Sequence, residues 1–278
     1  MEKVEKMRGE ADRGDVSLEN TSNGESGEVT AAALAIGDEL LSGRTRDLNV
    51  HRLGAWLGER AVRLKEARIV GDDIPVIAAA LNALRATHDY VFTSGGIGPT
   101  HDDLTVDAVS FAFDVPVVEN SEAIARMSKW YAARGEALTP ARRRMARMPE
   151  GAVLIDNPVT GAPGIRIGNV YVMAGVPSIF EGMLHAIATE IKQGVKVYSH
   201  AVTAYGLQES KIADELRRIQ NDAANVSVGS YPIDGDEKGV TIVARSANEQ
   251  FALSAIEEVT AIMTSIGATP IPGDRKSS

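Results

Sequence analysis

The densest chemistry in this chain lies in one stretch, Thr93-Ser-Gly-Gly-Ile-Gly-Pro-Thr-His-Asp-Asp-Leu-Thr105. Gly95, Gly96 and Gly98 let the backbone come close to a ligand. The amides of Gly95, Gly96 and Ile97 can line up as an anion nest, helped by the start of the helix that follows. Thr93, Ser94 and Thr100 add hydroxyl donors. The spacing is neither that of a P-loop nor that of the dinucleotide-binding glycine fingerprint, and no Gly-Lys-Ser/Thr follows. Asp102, Asp103 and Asp107 sit around a helix start, where the helix dipole alone favours negative charge. Beside a bound phosphate those acids would repel the ligand unless a hard cation bridged them. A divalent ion such as Mg, Mn or Co, held by one or two carboxylates plus phosphate oxygens, resolves the conflict, so Asp102 and Asp103 are the expected metal ligands. The alternative is a glycine-rich turn needed only for tight strand-to-helix geometry.

Other motifs leave strand ends in the same way. Gly37-Asp38-Glu39-Leu-Leu-Ser42-Gly43 brings two adjacent carboxylates able to bind a metal, a hydroxyl or an amino-pyrimidine edge, or simply to cap backbone amides. Asp72 and Asp73 end a second strand and either face the same cleft or cap the next helix. Asn157-Pro-Val-Thr-Gly161-Ala162-Pro163-Gly164 and Ala174-Gly175-Val176-Pro177 are turns whose value lies in joining one crevice. Arg142-Arg-Arg144 and Arg147 read as a solvated helix face that could also attract a phosphate from a neighbouring subunit. Of the five histidines only His101 lies in a motif, and none shows metal-ligand spacing. Neither a Gly-x-Ser-x-Gly elbow nor a His-Glu-x-x-His pair is present.

The elements that must position these loops are legible from periodicity. Val29–Ile36 is a continuous small-apolar run ending at Gly37, as expected of a strand buried on both faces. A helix follows near 47–60 with Val50, Leu53 and Leu57 inward. Strands are predicted over 64–70, 90–93, 153–155 and 170–173. A helix capped by Asp72 or Asp73, with Pro75 in its first turn and Ile77, Leu81 and Leu84 as its apolar stripe, follows the second strand, and further helices are predicted over 102–113, 120–134 and 177–192. Alternation of this kind implies a mainly parallel sheet covered on both faces, so the motifs fall at its carboxyl edge, where ligand crevices form. The remaining residues read β-α-β-β-α, a small α+β subdomain with a turn at Asp234–Gly239. The expected organisation is a disordered tail over 1–28, too poor in apolar residues to offset its ordering entropy. A main domain follows over 29–194, then the small subdomain over 195–272 and a short tail over 273–278.

Composition narrows the function classes. The chain has 278 residues, 29 basic and 38 acidic, a net charge of −9. With aromatics at 5%, this disfavours nucleic acid or an anionic membrane surface as a partner. No cysteine is present, which excludes disulfides, thiolate zinc sites and a cysteine nucleophile. No apolar run approaches about 18 residues, and the first residues lack a signal peptide's apolar stretch, so a cytoplasmic protein is expected.

Taken in order, the four loop motifs resemble the molybdopterin-binding-like (MoaB/MogA) superfamily. They are most similar to the N-terminal domain of the CinA competence/damage-inducible group. The resemblance is strong over about 29–190 and extends to the α+β tail. It implies a three-layer α/β/α fold binding a molybdopterin-like or nucleotide ligand. For CinA-like domains it implies divalent-metal-dependent hydrolysis of ADP-ribose, and for the matching FAD synthase domain hydrolysis of FAD pyrophosphate. Molybdopterin adenylyl transfer and non-catalytic pterin or nucleotide binding are the other readings. By motif alignment Asp103 and Asp73 take the places of the family's functional aspartates, and a homodimer or homotrimer is implied. One departure is Ala174, where the family commonly has proline, which frees a backbone N–H. The nicotinamide-nucleotide amidase domain of CinA proteins has no counterpart in the sequence, so that activity is not expected.

Overall fold

The computed structural model describes residues 28–223, 225–234 and 237–273. The tails expected over 1–28 and 273–278 lie outside these residues except for Glu28, which pairs with Arg63 and Lys65, and Gly273, whose N–H donates to Ala201 O. In chain order the elements are β1 Val29–Ile36, α1 Asp38–Leu41, α2 Asn49–Gly58, β2 Val62–Val70, α3 Ile74–Arg85, β3 Tyr90–Ser94 and α4 Thr105–Phe113. There follow β4 Val117–Glu119, α5 Ser121–Ala132, α6 Pro140–Arg143, β5 Arg147–Pro149, β6 Val153–Ile155, β7 Gly164–Ile167, β8 Val170–Met173 and α7 Pro177–Ala186. The last part holds β9 Tyr198–Tyr205, α8 Ala213–Asp222, β10 Ser227–Ile233, β11 Gly239–Ser246, α9 Glu249–Ser265 and β12 Ile271–Pro272.

Six strands form the main sheet in the order β2-β1-β3-β8-β7-β6. The pairs among β2, β1, β3 and β8 are parallel, and β7 and β6 add antiparallel edge strands. The run Ala31–Ile36 is fully buried because both its faces are covered. Alternate residues serve two cores: Ala32, Leu34 and Ile36 pack with Ile77, Leu81 and Leu84 of α3 and Val109 of α4. Ala31 and Ala33 pack with Leu53 and Leu57 of α2 and Phe180 and Met183 of α7. This is the three-layer α/β/α arrangement with a mainly parallel sheet. Connections from β1 and β3 leave in opposite directions, so a switch point opens at their carboxyl ends.

The C-terminal part is a four-stranded antiparallel sheet, β10-β11-β9-β12, with its own core of Val202, Ile212, Ile219, Ile242, Val259 and Met263. The first helix of the expected β-α-β-β-α order is preceded by a 3₁₀ turn at Glu209–Lys211 and becomes α-helical at Ala213. The expected turn at 234–239 includes residues 235 and 236, which lie outside the described ones. Four short strands escaped the periodicity reading. β4 and β5 pair with each other, β7 hides in the glycine–proline motif, and β12 pairs with β9. Each is only two to four residues long, too short to show a period of two.

Candidate functional site

The loop Gly95–Leu104 leaves β3 at the switch point and separates two cavities. Its first turn needs glycine. Gly95 and Gly96 have φ of +108° and +66°; a Cβ on Gly95 would lie 2.2 Å from Ile36 O, and one on Gly96 would lie 2.1 Å from Thr105 Oγ1. Thr105, fully buried, donates its hydroxyl to Gly95 O at 2.9 Å, and its N–H goes to Gly96 O at 3.0 Å. The Gly95 N–H is taken by Met173 O at 3.1 Å, so this amide is not available to a ligand as expected. The amides of Gly96 and Ile97 donate to no acceptor among the described residues.

Asp103 pins the far side of the loop. One carboxylate oxygen accepts from Gly98 N–H at 2.6 Å; the other accepts from the N–H and hydroxyl of Thr100 at 2.8 and 2.5 Å. With Gly96, Ile97 and Gly98 it lines a slot of about 20 Å³, closed by Arg144, Met145, Arg147 and Pro163–Ile165. Asp102, exposed, faces the other cavity, a bay of about 620 Å³ lined also by Asp38, Glu39, Ser42, Arg44, Asp72 and His101. The two acids expected to share one metal ion therefore line different cavities. The loop bends at His101 and Asp102, and Asp103's oxygens are already engaged by Gly98 and Thr100. Among the described residues no three metal-ligating side chains form a group able to hold an ion by themselves.

Asp72 and Asp73 also part company. Asp73 caps α3, accepting from Val76 N–H at 3.0 Å, the capping role that the sequence reading offered beside the catalytic one, and it does not line the bay. Asp72 lines the bay, where its carboxylate accepts from Asp38 N–H at 3.0 Å, and Asp38 accepts from Asp72 N–H at 3.3 Å. This reciprocal pair ties the β1 and β2 ends together, reinforced by the Gly37 N–H to Val70 O bond at 3.0 Å. Burial, with the charges of Asp38, Glu39 and Asp102, pushes the Asp72 carboxyl above its usual range despite that hydrogen bond.

The other predicted residues divide between lining and scaffolding. Thr93 is fully buried in β3, its hydroxyl has no partner among the described residues, and, against expectation, it lines neither cavity. Ser94 Oγ accepts from the Asn49 side-chain amide at 2.7 Å, which also donates to Gly175 O at 2.7 Å. Asn49 thus fastens the glycine loop to the Gly175 turn, whose backbone packs against Gly95. Its signal was available: a polar residue four before Leu53 on α2's apolar face, in place of the half-buried Val50. Asn157 folds its own loop, donating to Thr160 Oγ1 and Ala162 O and accepting from Val159 N–H, while Gly161 sits under Trp130. Of that motif Pro163 and Gly164 reach the slot. Gly43 closes the α1 turn, Val176 caps α7, and Pro177 O accepts from Arg52.

A family model described as a probable molybdopterin binding domain matches residues 32–193. The chain belongs to this family. Within it the chain is CinA-like. A CinA-like protein of Geobacter sulfurreducens is 32% identical over 81% of this chain and 56% of its own length, so the chain spans about half of that relative. A relative from Archaeoglobus fulgidus is 31% identical over 73% of this chain and 85% of its own length. The solved structure of CinA, of unknown function, from Thermoplasma acidophilum superposes with a TM-score of 0.54 at 32% identity, covering 59% of this chain and 99% of that one. Residues 196–269 of this molybdopterin-binding-like chain match the middle domain of FAD synthase. No described helix is long and apolar enough to cross a membrane.

Proposed function

We propose that this chain binds a phosphorylated nucleotide or pterin at the carboxyl ends of β1 and β3, and hydrolyses the pyrophosphate bond of an ADP-ribose- or FAD-type dinucleotide. The observation that carries the reading is the pair of unused adjacent amides at Gly96 and Ile97, held open by two glycines. A phosphate is the group that such paired N–H donors suit best. The hydrolytic step is supported by Asp72, whose raised carboxyl is a better proton acceptor than an ordinary surface aspartate. In this reading one phosphate of the pair sits at the amides and the other lies on the bay side of the loop, where Asp72 takes a proton from water as the water oxygen attacks that phosphorus. The bridging P–O bond breaks, and the leaving phosphate departs with the bond's electron pair.

A divalent cation fits the bay as a shared ligand rather than a caged one, because its hard carboxylate oxygens suit an ion that keeps its waters and leans on phosphate oxygens. Asp38 and Asp102 would hold it, and when bound it supplies neutralisation of the phosphate charge. The FAD synthase match makes FAD a substrate to test beside ADP-ribose. The proposal extends to a homodimer or homotrimer, read from the family resemblance.

The deciding assay offers ADP-ribose, FAD, and ATP with molybdopterin, each with Mg²⁺, Mn²⁺ or Co²⁺. AMP release from ADP-ribose or FAD is the expected result. AMP transfer seen only with ATP and molybdopterin would replace hydrolysis by adenylyl transfer. Binding without turnover would leave a non-catalytic binder.

A further inference from the structure

We infer that Arg144 grips the ligand's phosphate from across the slot, which restricts the ligands of this site to compounds carrying a phosphoryl group. The inference rests on the phosphate reading of Gly96 and Ile97 and adds the partner that faces them. Of the four arginines in residues 142–147, three are engaged. Arg142 lies over the Tyr131 ring and pairs with Glu136. Arg143 makes a two-pronged pair with Glu119, both contacts at 2.9 Å. Arg147 pairs with Asp107. Arg144 has no anion, carbonyl or ring partner among the described residues, yet it is half-buried and lines the slot beside the glycine loop.

A guanidinium cannot escape partial burial by losing its proton, so an unpaired, half-buried one beside the slot favours an anion there. The chain holds it there firmly. The next residues, Met145 and Ala146, are anchored in the core beneath α5, Ala146 O accepts from Asn120 N–H at 2.9 Å, and β5 then pairs with β4. Asp107 pairs with Arg147, and Asp103, although it lines the same slot, turns its oxygens to three uncharged loop donors and makes no ion pair with Arg144. Among the described residues Arg144 is the slot's unpaired cation. The slot has room for about one oxygen-sized group, and its lining brings together the Gly96–Ile97 backbone and a planar, two-pronged cation, a donor set that suits a phosphoryl oxygen.

The test is calorimetric titration of AMP, ADP-ribose and adenosine into wild type, Arg144→Met, Arg144→Lys and Arg143→Met, with melting curves for each. Arg144→Met is expected to weaken AMP and ADP-ribose by about 10- to 100-fold, the range for removing a charge-assisted hydrogen-bond pair. Arg144→Lys should recover part of the loss, since it keeps the charge but not the fork. Arg143→Met, outside the slot, should bind like wild type. Arg144→Met binding AMP within about twofold of wild type would overturn the role of Arg144 and leave the amide site standing. Wild type binding adenosine as tightly as AMP, or binding no phosphorylated probe, would instead overturn the phosphate reading itself. If Arg144→Met melts early, Arg144→Lys decides: full wild-type affinity there, where the fork is gone, overturns the two-pronged grip.

Discussion

Asp72 and Asp73 divide the work at the end of β2, one facing solvent-filled space among carboxylates and the other closing a helix. Asp72→Asn keeps an oxygen for the Asp38 N–H but cannot accept a proton, so ADP-ribose or FAD turnover is expected to fall by about 100-fold or more. Its stability effect has a defined sign. The folded carboxyl titrates above its unfolded value, so the favourable contribution of the neutral form is full below the unfolded value and is lost as pH rises through the folded one. Asp72→Asn should therefore melt higher than wild type near about pH 7, with the gain shrinking toward about pH 4. Asp73→Ala should do the reverse: it removes a cap worth about 1 kcal/mol and lowers Tm by a few degrees, with turnover close to wild type. Asp103→Asn tests a different role. The amide cannot replace both accepting oxygens, so the loop should loosen, at a cost of about 1–3 kcal/mol, with faster amide exchange at Gly98 and Thr100. Unchanged exchange there would show that Asp103 does not pin the loop.

Elements place these side chains by where they stop. β1 and β3 end side by side, and the close packing of Gly95 on Ile36 O sets the height of the whole glycine loop. Gly96→Ala drives a Cβ toward Thr105 Oγ1 at a positive φ, so it should cost about 1–3 kcal/mol and abolish AMP binding. Gly43→Ala, at φ +73° but with open space around its Cβ, should show only the backbone strain and keep AMP binding. Melting curves and titrations of the two variants separate loop geometry from strain alone. The β4–β5 pair and the α6 segment matter for the same reason: they carry Arg144 to the slot from about fifty residues along the chain.

At the scale of the molecule the cores are separate. The two cores of the main sheet involve residues of 29–191, and the third lies wholly in 202–268. We expect two transitions by scanning calorimetry, with AMP raising only the one that belongs to the main sheet. A single transition, shifted as a whole by AMP, would mean that the two parts unfold as one cooperative unit.

The sequence by itself determined the layers and the place of the crevice. A buried apolar run such as Ala31–Ile36, ending at a glycine, can be little else than a central strand, and strands alternating with helices put its carboxyl end in a crevice. The glycines at 95 and 96 were legible as close approaches for the same local reason. What only the tertiary structure decided was which neighbour faces which way. Between Asp72 and Asp73, or Asp102 and Asp103, the chain offers identical side chains one residue apart, and half a turn of backbone sends them to opposite sides. Nor could spacing show that Thr93 is fully buried, that Asn49 bridges two loops, or that Arg144 alone of its cluster lacks a partner among the described residues. Those facts depend on contacts between residues distant in sequence, and each is set by packing that no local pattern encodes.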